Sequence, residues 1–241
     1  MLLTKPPVVR ERNNKRSVIA ALAREVAPLL ERHMGFQLPG QFLTPSAFIV
    51  GPPSHYANAV LGRVDKDIGT RIKRLILRER VRGDLGGYLS NHGMIYLNDK
   101  LILYHELDPF TFNPTAFHDK NSREFRVALI LAHELAHAIH LLAFPSHDPV
   151  EPNFTQDQEF ANRAYVEGAA EFFTMLALGE PTEFRFKSSD QPNFYRLGYC
   201  FFQALAMVHP NPLLASASML PTYAEILNPD LYLKRLGNQS A

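Results

Sequence analysis

The chain has 241 residues, 46% hydrophobic and 20% charged, a balance that excludes a disordered polymer. With 25 basic and 24 acidic residues its formal charge is +1, so no global field draws it toward nucleic acid or an anionic membrane. The single cysteine, Cys200, excludes an internal disulfide framework.

The start, Met1-Leu2-Leu3-Thr4-Lys5-Pro6-Pro7, lacks an apolar stretch of signal-peptide length. No later stretch reaches roughly 18 uninterrupted apolar residues. The expectation is a soluble, cytoplasmic protein with no membrane partner. Residues 1 to 15 are rich in Pro, Arg and Asn and read as loose. From Lys15 to about His33, Val18, Ala21, Leu22, Val26, Leu29 and Leu30 recur at helical spacing, and Gly35 is a natural stop. Ala47-Phe48-Ile49-Val50 reads as a strand.

Residues 63 to 84 fit a basic helix or a pair of strands. Arg71, Lys73, Arg74, Arg78, Arg80 and Arg82 surround Ile72, Leu75, Ile76, Leu77 and Val81. The cluster is either a nucleic-acid or phosphate patch or a solvated face over a buried apolar stripe. The second reading is the commoner one, and nucleic acid is not the expected partner. Gly86 to Ser90 and Gly93 to Asn98 flank Asn91-His92-Gly93 and predict a short hairpin. Residues 107 to 120 read as a loop.

Helices then dominate. Asn121 and Glu124 resemble a capping box for a helix running through Phe125, Leu129, Ala132, Ala136 and Ile139 to Phe144, ended by Pro145. A second helix is predicted from about Gln158 to Leu178, with Thr155 and Gln158 as its capping box and Gly179 and Pro181 as its stop. A third runs from about Pro192 to Val208, and 221 to 236 is helical in pattern but broken at Pro229. The fold class is α+β: a mixed subdomain, 1–120, and a helical subdomain, 121–241, within one compact unit.

Residues 133 to 137 read His-Glu-Leu-Ala-His. Four residues of α-helix turn about 400° and rise about 6 Å, so the two imidazoles sit one turn apart on one face. That spacing suits two nitrogens sharing a Zn²⁺, with Glu134 beside them to reach a metal-bound water. Random placement of this chain's His and Glu residues would give the pattern about 0.02 times. The bland reading, two histidines that merely hydrogen-bond, is costly in the middle of an apolar helix.

His140 lies on nearly the same face but about 10.5 Å along the axis from His133, too far to share the ion. Hydrogen bonding or helix C-terminal charge is its expected role. Glu167 is the better third ligand. It is a carboxylate among Phe160, Ala164, Val166, Ala169, Ala170, Phe172 and Phe173, and needs a partner. Gly168 removes a side chain where a neighbouring helix or the metal could sit. Glu171, one turn on, is either a surface carboxylate or the acceptor that fixes a ligand histidine's tautomer.

His133-Glu134-Leu135-Ala136-His137 followed by Glu167-Gly168-x-Ala170 resembles the gluzincin class of zinc metallopeptidases, more narrowly the peptidase-MA-like, minigluzincin-like zincins. The resemblance covers roughly residues 86 to 208 and includes Tyr195-x-x-Gly198-Tyr199-x-Phe201. It implies a small, mainly antiparallel sheet packed on an active-site helix, with an edge strand at Met94 to Leu97 that pairs with a peptide or protein substrate. It implies zinc held by His133, His137 and Glu167, with Glu134 as general base and acid. Tyr195, Tyr199 and His209 are candidates for the transition-state stabiliser. The gap of 30 positions between His137 and Glu167 is longer than in aminopeptidase-like members, and no exopeptidase motif is visible.

The leading expectation is therefore a zinc-dependent metallopeptidase. Its rivals are a non-catalytic binding protein on the same scaffold and a nucleic-acid-associated protein using residues 71 to 82. Residues 1 to 40 could serve as a latency segment. The sequence leaves the substrate and the oligomeric state open.

Overall fold

A computed structural model describes residues 7–62, 67–80, 85–98, 112–148, 155–179 and 194–239. The expected features at 63–66, 81–84, 107–111, 149–154 and 192–193, and the stop at Pro181, lie outside the described residues. The described elements are helix α1 (Pro7–Met34), strand β1 (Phe48–Gly51), α2 (Pro53–Leu61), α3 (Ile68–Arg80), β2 (Gly86–Leu89), β3 (Met94–Asn98), α4 (Arg123–Ala143), α5 (Gln156–Leu178), α6 (Phe194–Ala206), α7 (Pro212–Ser216), α8 (Tyr223–Leu227) and α9 (Pro229–Gln239). The chain is α+β, as expected, and mostly helical. Contacts group it into two units. The first holds the described residues up to Ala27 and Leu38–Leu135; the second holds Pro28–Gln37 and Ala136–Ala241. The sequence suggested a boundary near residue 120; this grouping divides the chain inside α1 and α4.

In the first unit, β1, β3 and β2 form one sheet in that order. β1 runs parallel to β3, with Ile49 opposite Tyr96. β2 runs antiparallel to β3, with Gly86 opposite Leu97 and Leu89 opposite Met94. The hairpin is the predicted one, and Gly93 takes the left-handed conformation (φ +56°) at its turn. Two expectations are corrected. The sheet is mixed, because β1 joins by a parallel crossover. Met94 to Leu97 is the central strand of the three, which leaves β1 and β2 as the edges among the described strands. Ile49, Leu89 and Tyr96 form a buried cluster with Tyr56, Ala59 and Val60 of α2. β3 is buried from Ile95 to Asn98.

α1 begins at Pro7, so residues 7 to 15 are helical rather than loose. Its buried face carries Ile19, Leu22, Ala23 and Val26 in the first unit. It stops where expected, at Gly35 (φ +77°). α3 resolves residues 68 to 80 as a helix, with an unexpected orientation. Arg74 is the buried residue, while Ile72, Leu75 and Ile76 face solvent. A solvated face over a buried apolar stripe is thus not what forms.

α4 starts at Arg123, and Ser122 rather than Asn121 caps it: the Ser122 Oγ accepts the Phe125 N–H at 2.9 Å. Glu124 instead accepts the Asn113 N–H and the Arg123 guanidinium. α4 is long and apolar enough by composition to cross a membrane, but 83% of that stretch is buried, as in a core helix.

In the second unit α5 opens with the predicted capping box, Thr155 accepting from the Gln158 N–H and Gln158 from the Thr155 N–H. It closes on Gly179 in the left-handed conformation. α5 crosses α6 with backbone against backbone. A Cβ on Gly168 would lie 2.1 Å from the Gly198 carbonyl carbon, and one on Gly198 would lie 1.7 Å from the Ala164 oxygen. The space left by Gly168 is therefore filled by a neighbouring helix. Around the crossing, Tyr165, Phe172, Phe173, Phe201 and Phe202 pack ring against ring. Pro229 breaks the last helical stretch into α8 and α9, as its position in the pattern implied.

Candidate metal centre

α4 carries His133, Glu134 and His137, all buried. The helix continues without a break through Ala143, so its own geometry sets the two rings one turn apart. Glu167 projects from α5 and is only partly buried. Its Oε2 lies 3.2 Å from His137 Nε2. One ligand atom from each of His133, His137 and Glu167 lies within 4.8 Å of the other two. Two imidazole nitrogens and one carboxylate are a donor set that suits a divalent transition metal, zinc among them, and donor atoms this close can meet on one ion. The sequence-based choice of Glu167 over His140 thus matches the grouping.

His140 belongs to a different arrangement. Its Nε2 is 2.9 Å from His147 Nδ1, and His147 Nε2 is 3.0 Å from the Ala217 carbonyl. A carbonyl only accepts, so His147 donates from Nε2 and accepts at Nδ1, and His140 donates from Nε2. Burial disfavours the charged form of both rings, which is the condition for that donor–acceptor order. Phe144 stacks on His147, and Tyr165 sets its edge against both rings. Burial, then the neighbouring His147 and His137, holds the His140 pKa well below the ordinary histidine value. Burial also lowers His147, against the hydrogen bond to Ala217. His140 therefore has the hydrogen-bonding role expected of it. Its partner was not foreseen, although Pro145-Ser146-His147 directly after the helix offered a signal.

Glu134 has a neighbour that sequence reasoning missed. A Cβ placed on Gly86 would lie 2.8 Å from Glu134 Oε1 and 2.9 Å from its Cγ. Gly86 stands opposite Leu97 in the sheet, and the closeness of its Cβ position to Glu134 brings β2 against α4 within the first unit. The bare backbone of β2 leaves room for the carboxylate. The Gly86-Gly87 pair was visible in the sequence, but read only as the start of a hairpin.

Glu171 is fully buried, which rules out the surface-carboxylate reading. Tyr199 has a raised pKa, from burial first, then from Cys200 and Glu171. Its hydroxyl accepts a hydrogen bond from the Gln203 amide. The Tyr195 ring lies 4.7 Å from that of Phe194. His209 Nδ1 accepts the Asn211 N–H, a local turn contact. Neither family models, nor curated proteins, nor solved structures give a match to this chain.

Proposed function

We propose that the chain is a zinc-dependent peptidase. The observation that carries this reading is the convergence of His133, His137 and Glu167, with a carboxylate, Glu134, directly after the first of them on the same helix. Zinc, when bound, supplies a Lewis acid that polarises a carbonyl and lowers the pKa of a coordinated water to about 7. His133, His137 and Glu167 would hold the ion. Glu134 takes a proton from the attacking water and delivers it to the leaving amine. Glu171 positions a ligand histidine from the buried side. Tyr199 keeps its proton and so remains able to donate to a developing oxyanion; Tyr195, a turn before it on α6, is the second candidate for that task.

The test is a Glu134→Gln variant assayed alongside wild type for metal content and for cleavage of a mixed peptide library. The expected result is unchanged zinc and a loss of turnover of at least about a hundredfold. Equal cleavage by the two proteins defeats the mechanism. Stoichiometric zinc without cleavage by wild type favours the non-catalytic scaffold instead.

A further inference from the structure

Within the first unit, α3 is turned the opposite way from an ordinary surface helix. Its one buried side chain among Arg71 to Leu77 is Arg74, 5% exposed, whose guanidinium donates to the Asn58 Oδ1 of α2 at 2.5 Å. Ile72, Leu75 and Ile76 are 52%, 55% and 61% exposed. A helix serving only a soluble core places these the other way round. At about 100° per residue the three apolar side chains occupy an arc of about 100°. Exposed Arg71 and half-buried Arg78 border one edge of that arc, and exposed Lys73 borders the other. Glu79 falls inside the arc at its C-terminal end, which limits the stripe to the turns before it.

We propose that α3 docks the protein on an anionic bilayer surface. A helix lying flat there sinks its apolar stripe about 5–10 Å into the headgroup and acyl boundary. The stems of Arg71 and Lys73 run along the apolar layer and bring their charges up to the lipid phosphates on either side. A plane that is anionic at its surface and apolar a few ångströms below satisfies both features of the helix. A nucleic-acid backbone satisfies only the cations and leaves Ile72, Leu75 and Ile76 in water. Surface docking needs no membrane span. The near-zero net charge does not oppose it either, because the field is local to one helix.

The full chain is sedimented with vesicles of phosphatidylcholine alone and of phosphatidylcholine with phosphatidylserine at roughly two to one, at low and physiological salt. The expected result is pelleting with the anionic vesicles only, weaker at higher salt. Replacing Ile72, Leu75 and Ile76 together by serine lowers the partition coefficient roughly tenfold or more. Arg71→Gln and Lys73→Gln each lower it about fivefold. These side chains are exposed, so circular dichroism of the variants stays that of wild type. The proposal is overturned if the full chain stays in the supernatant with both vesicles, or if the triple variant pellets like wild type. Salt-sensitive binding to a single-stranded oligonucleotide without vesicle binding overturns it in favour of nucleic acid. A dimer that the triple variant abolishes, again without vesicle binding, overturns it in favour of self-association.

Discussion

At Gly86 a single added methyl group would meet the Glu134 carboxylate, and that carboxylate is the end of a flexible side chain. It can swing aside at small cost in stability, but a misplacement of about 1 Å in a catalytic group can cost about a hundredfold in rate. With Glu134 in the proton-carrying role proposed above, Gly86→Ala is therefore expected to keep its metal content and melting temperature while its kcat falls by that order. A fall in bound zinc that parallels the fall in activity would show that the methyl group disturbs the ligands instead. This contact was illegible in the sequence because Gly86 and Glu134 meet only through the packing of sheet on helix. Glu167 was legible for the opposite reason. A carboxylate flanked by Phe160, Ala164, Val166, Ala169 and Ala170 has few places to go without a partner, and that can be read without coordinates.

The elements were legible where local chemistry decides them. Thr155 and Gln158 announce the start of α5, Gly35 and Gly179 end helices, and Pro229 separates α8 from α9. They were illegible where tertiary packing decides. Nothing in the alternation of Arg and Ile in α3 says that Arg74 rather than Leu75 turns inward, because the hydrogen bond to Asn58 comes from another helix. The strand Met94–Asn98 is apolar enough for either an edge or a centre, and only the parallel pairing with β1 decides it. The crossing of α5 and α6 gives the sharpest prediction at this scale. A Cβ on Gly198 would meet the backbone of Ala164 and Gly168, which cannot rotate away as a side chain can. Gly198→Ala is expected to destabilise the protein by about 3 kcal/mol, the upper part of the range for overpacking. In thermal denaturation that corresponds to a fall of roughly 6–12 °C for a chain of this length. A melting temperature within a degree of wild type would mean that the helices separate freely.

For the whole molecule, the neutral His140–His147 chain ties stability to pH. The folded pKa of His140 is depressed by burial, while in the unfolded chain it returns to about 6.5. The stabilisation is thus complete above that value. As pH falls below it, the unfolded chain takes up a proton that the folded one refuses. The slope for His140 alone approaches about 1.4 kcal/mol per pH unit until the folded pKa is reached. Urea midpoints measured in chelator between pH 8 and pH 5 are expected to fall below about pH 6.5. His140→Leu should flatten that fall, and an unchanged profile in the variant would assign the acid sensitivity to other groups. Pro145-Ser146-His147 after the helix hints at a nearby ring, but the His140–His147 contact itself depends on the turn at Pro145 bringing His147 back against α4. The burial of α4 has a consequence for supply as well as for shape. An ion held by the side chains at 133, 137 and 167, as proposed above, would bind the native form more tightly than the unfolded one, so mass action would make its abundance a term in the fold's own survival. Scarcity of the metal would then thin the population of intact molecules, and the cell's trace-element economy would govern how long each copy lasts.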